Sequence, residues 1–333
     1  MTDLAPEPIA IPAPPRKRRL VNLIKLALLL LVLALVGRVL FKQWQQIAAN
    51  DIPVQVRPLP LVGAALLLMS VALIQAVSYR TLLGAYATAP LWRAMPTIAW
   101  VPPMGKYIPG GAVIAAVAML RKLNIPVGVA VAVVLVQDGL AQLAGLIVSA
   151  PLLWWQPVME RVPWARFVAV PAILAAAVCL WPAVFAFGVN TLLGLLKRPP
   201  LPRMPSMKQY AVPMACAFGQ WVLHGAALGF IVQSVTGQSP WPHFLLLMSF
   251  AALSQTLGYL AVFAPGGLGV REAVLLACLT PLPGVGPLAA VIVPIRAVAQ
   301  VIVDLTMGAI GLSVIWSTRA DRDFDETPRQ PVA

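Results

Sequence analysis

The sequence predicts an all-α, polytopic helical membrane protein, and its composition and apolar stretches carry that prediction. Of the 333 residues, 60% are hydrophobic and only 11% are charged. A soluble domain is about 45–50% apolar and about 25% charged. Several apolar stretches reach the roughly 20 residues that a helix needs to cross the hydrocarbon core of a bilayer. The composition therefore excludes a water-soluble globular protein, a nucleic-acid-binding protein and a disordered chain.

The basic residues are placed as topology signals. Net charge is +13, and short basic runs stand beside apolar stretches, as in Arg16–Arg19 just before the first one. Cytoplasmic loops of membrane proteins are enriched in lysine and arginine. We therefore expect residues 1–19 to be a disordered basic cytoplasmic tail, residues 20–316 a single transmembrane domain and residues 317–333 a second cytoplasmic tail. The predicted location is the inner (plasma) membrane, with both termini cytoplasmic and no nucleic-acid partner.

Six apolar stretches are predicted to cross the membrane completely. They cover about residues 20–41, 60–79, 126–150, 168–190, 209–233 and 287–316. Two further apolar stretches, residues 90–121 and 243–281, are each interrupted by Pro-Gly-Gly, and we call them the first and the second broken region. If each broken region enters and leaves on the same side, six crossings place most basic loops in the cytoplasm.

The two broken regions resemble each other. Residues 107–111 read Tyr-Ile-Pro-Gly-Gly and residues 263–267 read Phe-Ala-Pro-Gly-Gly, and each is followed by a short apolar helix, a turn and a long span. In the topology above they enter from opposite sides, so we predict two Pro-Gly-Gly re-entrant helical hairpins in an inverted repeat. Interrupted helices in two inverted halves mark the central site of many transporters. The alternative is about eight spans that are merely kinked, since proline and glycine are common in membrane helices.

An intramembrane polar network is predicted from residues that are rare in such segments. A charge at the bilayer centre costs at least about 2.5 kcal/mol, so each one needs a partner or water. Arg296, Gln300 and Asp304 are spaced i, i+4 and i+8 and form one polar stripe on a helix. Asp138 and Gln142 form a similar pair on the third span.

Lys106 and Arg271 flank the two Pro-Gly-Gly turns and are candidate ligands of an anionic head group. The helices that begin after these turns also direct N-terminal amides, which favour an anion, into the membrane. Structural ion pairs, such as Arg271 with Asp304 or Asp138 with Arg296, would explain the same charges. No catalytic constellation, nucleotide loop or metal-ligand spacing is present, so we expect no enzymatic activity, cofactor or metal.

These motifs resemble a known family. Residues 105–111, Gly-Lys-Tyr-Ile-Pro-Gly-Gly, and residues 265–273, Pro-Gly-Gly-Leu-Gly-Val-Arg-Glu-Ala, are similar to the lysylphosphatidylglycerol synthase transmembrane-region family of flippase-like proteins. The first motif departs from many members, which carry a lysine and a bulkier residue where this chain has Gly111 and Ala112. The resemblance covers about residues 20–316. It implies a lipid-handling role, and we expect a stand-alone member without the aminoacyl-lipid synthase domain.

The resemblance and the charge pattern together define the predicted binding site. Its residues are Lys106, Tyr107, Pro109, Gly110, Gly111, Arg121, Pro265, Gly266, Gly267, Gly269, Arg271 and Glu272. The expected function is that of a lipid flippase or lipid-binding protein for an anionic phospho- or glycolipid or a hopanoid-type lipid, with membrane lipids as partners. The alternatives are an ion-coupled small-solute transporter, with Asp138 or Asp304 as the coupling carboxylate, and an accessory scaffold for a lipid-biosynthesis enzyme or a glycosyltransferase. A membrane transferase is a further alternative.

Overall fold

The protein is helical throughout the part of the chain that the structure describes. This computed structural model describes residues 54–86, 92–107, 111–122, 127–195, 206–261 and 264–323, with isolated positions at 125, at 200 and between 38 and 49. No β-strand occurs within these ranges, which confirms the all-α polytopic architecture. The predicted first span, residues 20–41, lies almost entirely outside the described residues.

Eleven α-helices are described within these ranges. In chain order they are α1 (Pro58–Tyr86), α2 (Met95–Trp100), α3 (Gly111–Lys122), α4 (Val127–Val148), α5 (Gln156–Arg161), α6 (Ala165–Cys179), α7 (Pro182–Leu195), α8 (Met207–Thr236), α9 (Phe244–Leu260), α10 (Val270–Leu279) and α11 (Ala289–Asp323). Short 3₁₀ segments lie between them, at Trp92–Ala94, Pro102–Tyr107, Ala150–Trp154, Trp241–His243, Pro265–Gly267 and Gly286–Leu288.

Five helical segments are long and apolar enough to cross a membrane. They are Pro58–Tyr86, Val127–Trp154, Gln209–Thr236, Trp241–Leu260 and Gly286–Val314. Four of them match predicted spans, whereas the segment that contains α9 belongs to the second broken region. The last of them is part of α11, which continues to Asp323, so the predicted start of the C-terminal tail at residue 317 falls inside this helix.

The predicted span at residues 168–190 is divided into α6 and α7, which are bent by 99° relative to each other. Pro182 is the first residue of α7. Proline has no backbone N–H to continue a preceding helix, and it disfavours the α conformation in the residue before it. The pair counts as a sixth crossing if it is treated as one broken span.

The two broken regions differ in the length of their helices. In the first, α2 and α3 have 6 and 12 residues, about 9 Å and 18 Å at 1.5 Å per residue. Each is shorter than the roughly 30 Å of the hydrocarbon core. In the second, α9 has 17 residues and α10 has 10. The second broken region therefore combines one helix of nearly full crossing length with one short helix.

The helix α8 lies at the centre of the bundle and packs against α1, α4, α9 and α11. It begins at a capping box, in which the backbone N–H of Ser206 donates to Oε1 of Gln209 at 3.1 Å. It approaches α9 closely because Gly225 has no side chain. A Cβ atom there would lie 2.6 Å from Cα of Met248. Small residues at such crossings are typical of membrane helix packing.

Candidate functional site

A cavity of about 490 Å³ lies between the two broken regions and the long helices. Its volume falls in the range of about 300–1,000 Å³ that is usual for small-molecule sites. Residues from α1, α2, α3, α4, α8, α9, α10 and α11 and from the Pro102–Tyr107 segment line it. Since both broken regions and the central spans contribute to the lining, this cavity is the candidate functional site.

The second Pro-Gly-Gly turn contacts the Pro102–Tyr107 segment of the first broken region beside this cavity. Gly266 has a φ of 60°, and a Cβ atom on it would lie 2.9 Å from the carbonyl oxygen of Lys106. Gly267 has a φ of 71°, and its Cβ atom would lie 2.6 Å from the backbone of Gly258 on α9. Glycine adopts positive φ without strain and permits such close backbone approach. The second turn is therefore packed between the Pro102–Tyr107 segment and α9, and only glycine fits at these two positions.

Lys106 forms an ion pair with the carboxylate of Asp304. The pair joins the first broken region to α11, and both residues line the cavity. The side chain of Asp304 is 7% exposed and that of Lys106 is 23% exposed. Nε2 of Gln300 also donates to Oδ1 of Asp304 at 3.0 Å. The carboxylate is thus held by a cation and an amide from two different elements.

Arg271 is almost fully buried, with 2% of its surface exposed, and lines the same cavity. Its Nε and Nη2 donate to Oε1 of Glu272 at 3.0 and 2.8 Å, and its Nη1 donates to Oε1 of Gln255 at 3.2 Å. The other carboxylate oxygen of Glu272 accepts from the backbone N–H of Gly269 at 2.7 Å. Glu272 therefore caps α10 at its N-terminus and fixes the guanidinium at the same time.

The members of the predicted intramembrane polar network fall into two groups. Asp138, Gln142, Gln300 and Asp304 all line the cavity, although they come from the distant helices α4 and α11. Arg296 is buried but is not one of the lining residues. Oδ2 of Asp138 accepts a hydrogen bond of 3.1 Å from the hydroxyl of Tyr259 on α9. The network is therefore mainly a lining of the cavity.

The predicted binding-site residues are also divided by the structure. Of these, Lys106, Gly266, Gly267 and Arg271 line the cavity, whereas Gly269 and Glu272 lie beside it and hold α10. Gly111 is the first residue of α3. Pro109 and Gly110 lie outside the described residues, and the side chains of Tyr107, Arg121 and Pro265 are not described.

Several cavity residues were not among the predicted site residues, although Gln220 and His224 form an i, i+4 polar pair in the predicted span at residues 209–233. They are Gln75, Tyr79, Gln137, Gln220, His224, Gln255 and Tyr259. The sequence contains a pattern that points to most of them. Two pairs, Gln75 with Tyr79 and Gln255 with Tyr259, have the same i, i+4 spacing as Gln300 with Asp304. A search for paired polar residues in apolar helices would have found both pairs.

Comparison with known proteins identifies the family. A family model described as "Lysylphosphatidylglycerol synthase TM region" matches residues 22–308, which is most of the chain. The match is to the transmembrane region of that synthase and extends over both broken regions and all the residues that line the cavity. No curated protein matches this chain. The chain therefore belongs to the lysylphosphatidylglycerol synthase transmembrane-region family, a membrane protein family linked to lipid handling.

Proposed function

We propose that this protein is a lipid flippase that binds the anionic head group of a membrane lipid in the central cavity and carries it across the bilayer. One observation supports this most strongly: Lys106 and Arg271, which flank the two Pro-Gly-Gly turns in the sequence, both line one cavity. In a family linked to lipid handling, two basic side chains at such a site suit a phosphate. The lipid tails stay in the bilayer while the head group occupies the cavity.

Binding proceeds by exchange of anions at the basic side chains. In the structure, Asp304 neutralises Lys106 and Glu272 neutralises Arg271. A phosphate that enters the cavity replaces Asp304 at Lys106, which is the more exposed cation of the two. Arg271 keeps its orientation because its guanidinium donates to Glu272, its neighbour on α10, and to Gln255 on α9. Lys106 therefore makes the first contact with the head group, and Arg271 provides a fixed second one.

The transport step follows from the position of the ion pair. Lys106 belongs to the first broken region and Asp304 to the last span, so exchange of this pair for a phosphate removes one polar contact between the two halves of the protein. Rocking of one repeat against the other then exposes the cavity to the opposite side. We place the protein in the inner (plasma) membrane with both termini cytoplasmic, which the basic loops favour.

The proposal is tested in proteoliposomes with fluorescent phosphatidylglycerol, whose arrival in the opposite leaflet is followed by chemical quenching. Replacing Arg271 alone leaves the half-buried Glu272 without its cation, so the informative variant is Arg271→Gln with Glu272→Gln. For the same reason Lys106→Gln is combined with Asp304→Asn, and we expect both double variants to lose most translocation. The exposed Arg166, remote from the cavity lining, supplies the control Arg166→Gln.

Translocation at the wild-type rate by both cavity variants would refute the assignment of the binding site. An absence of lipid translocation by the wild-type protein would refute the flippase itself. The second candidate, an ion-coupled small-solute transporter, is favoured by one observation, namely that Asp138 lines the cavity beside Tyr259. Uptake of a solute that depends on a proton gradient, and is abolished by Asp138→Asn, would favour that candidate.

A further inference from the structure

We infer that the acyl chains of the transported lipid leave the cavity sideways, through a gap between α4 and α9 that the side chain of Tyr259 closes. The inference rests on the proposed function, because a lipid with its head group in the cavity and its tails in the bilayer needs an opening in the cavity wall. We call Tyr259 and the gap that it fills the Tyr259 gate. In the structure, a hydrogen bond from Tyr259 to Asp138 holds this gate shut.

Tyr259 separates the cavity from the outer surface of the protein. It lines the cavity, and yet 51% of its surface is exposed. The other residues that line the cavity, all within the described part of the chain, are buried or half-buried. Leu257 and Leu260, beside Tyr259 on the last turn of α9, are also exposed, so the outer surface around it is apolar. A single side chain therefore forms the wall of the cavity at this point.

The contact between α4 and α9 is close near the C-terminal end of α4 and looser towards its middle. The hydroxyl of Ser249 on α9 donates to the carbonyl oxygen of Val148 at 2.8 Å. A Cβ atom on Gly145 would overlap a hydroxyl of α9, so the backbone of α4 meets the side chains of α9 directly there. At Asp138, by contrast, the contact is made by the ends of two side chains. The long side chain of Tyr259 therefore fills a gap that opens between the two helices.

The gap faces the interior of the bilayer. Asp138 lies near the middle of α4, about 15 Å from each end of that helix at 1.5 Å per residue. The helix belongs to one of the candidate spans, and half of the hydrocarbon core of a bilayer is also about 15 Å. The hydroxyl of Tyr259, which is bonded to Asp138, therefore lies at the depth of the acyl chains. Opening of the Tyr259 gate connects the cavity with these chains and not with water.

A tyrosine suits a gate between an apolar and a polar environment. Its ring covers the side that faces the acyl chains, whereas its hydroxyl needs a hydrogen-bond partner away from water. Among the described residues, the hydroxyl of Tyr259 is the one hydrogen-bond partner of the Asp138 carboxylate, which forms no ion pair there. One hydrogen bond must therefore break for the ring to rotate out of the gap. Asp138 still lines the polar cavity when this bond is broken, so its carboxylate is not left in hydrocarbon.

The first test measures how fast a bound lipid leaves the cavity. Full-length protein with bound phosphatidylglycerol is mixed with excess deuterated phosphatidylglycerol in detergent, and native mass spectrometry follows the exchange of one for the other. Tyr259→Phe keeps the ring and removes the hydrogen bond, so we expect exchange about tenfold faster than in the wild-type protein. The matched control is Tyr86→Phe, which removes a hydroxyl outside the cavity lining that has no hydrogen-bond partner among the described residues. It should exchange lipid at the wild-type rate.

The second test closes the gap covalently. The three native cysteines are first replaced by alanine, at Cys179, Cys216 and Cys278. In this background, Asp138→Cys with Tyr259→Cys is bridged by a bismaleimide before reconstitution, and translocation of fluorescent phosphatidylglycerol is compared with that of the same protein before bridging. We expect the bridge to abolish most translocation. The control, Val148→Cys with Ser249→Cys, is bridged where the two helices already touch and should translocate at its unbridged rate.

The gate and the flippase fail in different ways. Lipid exchange by Tyr259→Phe at the wild-type rate, or unchanged translocation after bridging at the gate, would overturn the gate and leave the proposed function intact. Loss of translocation with both bridges would also overturn it, because α4 and α9 would then have to separate along their whole contact. So would a folded but inactive unbridged Asp138→Cys with Tyr259→Cys variant, since an open gate should not stop passage. If the wild-type protein neither bound nor translocated phosphatidylglycerol, the proposed function itself would fail.

Discussion

The ion pair between Lys106 and Asp304 should behave as a buried, strongly coupled pair in a double-mutant cycle. Removing one partner of a buried pair costs about 3–5 kcal/mol, because the other charge is left unpaired, whereas replacing both partners is often neutral. For Lys106→Met we expect a loss near the lower limit, about 3 kcal/mol, because Gln300 still donates to the carboxylate. Asp304→Asn should lose less, because the Lys106 ammonium is 23% exposed and partly hydrated.

The double variant, Lys106→Met with Asp304→Asn, should recover most of the stability that the single variants lose. The expected coupling energy is about 3 kcal/mol, at the upper end of the range found for directly contacting residues. The free energy of unfolding is measured in bicelles by steric trapping, which reports stability without a denaturant. Arg166→Met serves as control, because the exposed guanidinium of Arg166 lies over the ring of Phe167 and outside the cavity.

A strictly additive cycle would refute the reasoning. If the double variant lost the sum of the two single losses, the two side chains would not stabilise each other. Single losses below about 0.5 kcal/mol, the usual value for exposed pairs, would show that water reaches the pair freely. Lipid binding adds a second measurement, because the Asp304→Asn variant lacks the competing carboxylate. It should bind anionic lipid more tightly than the wild-type protein at equal protein concentration.

Two further predictions concern the glycines. Gly225→Ala places a Cβ atom 2.6 Å from Cα of Met248 and should destabilise the protein by about 1–3 kcal/mol, whereas Gly188→Ala, which has no atom within 4 Å of its new Cβ, should leave the unfolding free energy nearly unchanged. Gly267→Ala combines a positive φ with a 2.6 Å contact to the backbone of Gly258, so we expect loss of lipid binding together with a lowered melting temperature. Normal binding by Gly267→Ala, or equal stability of the two helix variants, would contradict the packing described.

The membrane architecture was largely predictable, because composition and span length depend on the sequence alone. Four of the predicted spans recur in the structure. The span at residues 168–190 was predicted as continuous because its apolar run is continuous, yet Pro182 interrupts the helix there. The length of α9 was not predicted, for a different reason. The prediction of a broken region rested on Pro-Gly-Gly at residues 265–267, whereas the length of α9 is set by the uninterrupted apolar stretch before that motif.

The charged residues of the candidate site could be predicted from the sequence, whereas most of its glutamines were not. Lys106, Arg271, Asp138 and Asp304 could be selected because formal charges are rare in apolar segments. Gln255 forms an i, i+4 pair with Tyr259 in the sequence, but its contact with Arg271 depends on how α9 packs against α10. The partner of Lys106 also depends on packing, because about 200 residues separate it from Asp304.

The charges that line the cavity bear on the energy source of the proposed lipid transport. Of the described lining residues, Lys106 and Arg271 are positive, and Asp138 and Asp304 are negative. These formal charges sum to zero. Without a bound lipid, the cavity can therefore switch its opening from one side of the membrane to the other without moving net charge through the membrane field. An anionic head group then carries its own charge, and one charge is worth about 2.3 kcal/mol per 100 mV. With the cytoplasm negative, the membrane potential drives such a lipid outward by roughly fiftyfold per 100 mV. Export of an anionic lipid by this protein would therefore be electrogenic and would need no ATP.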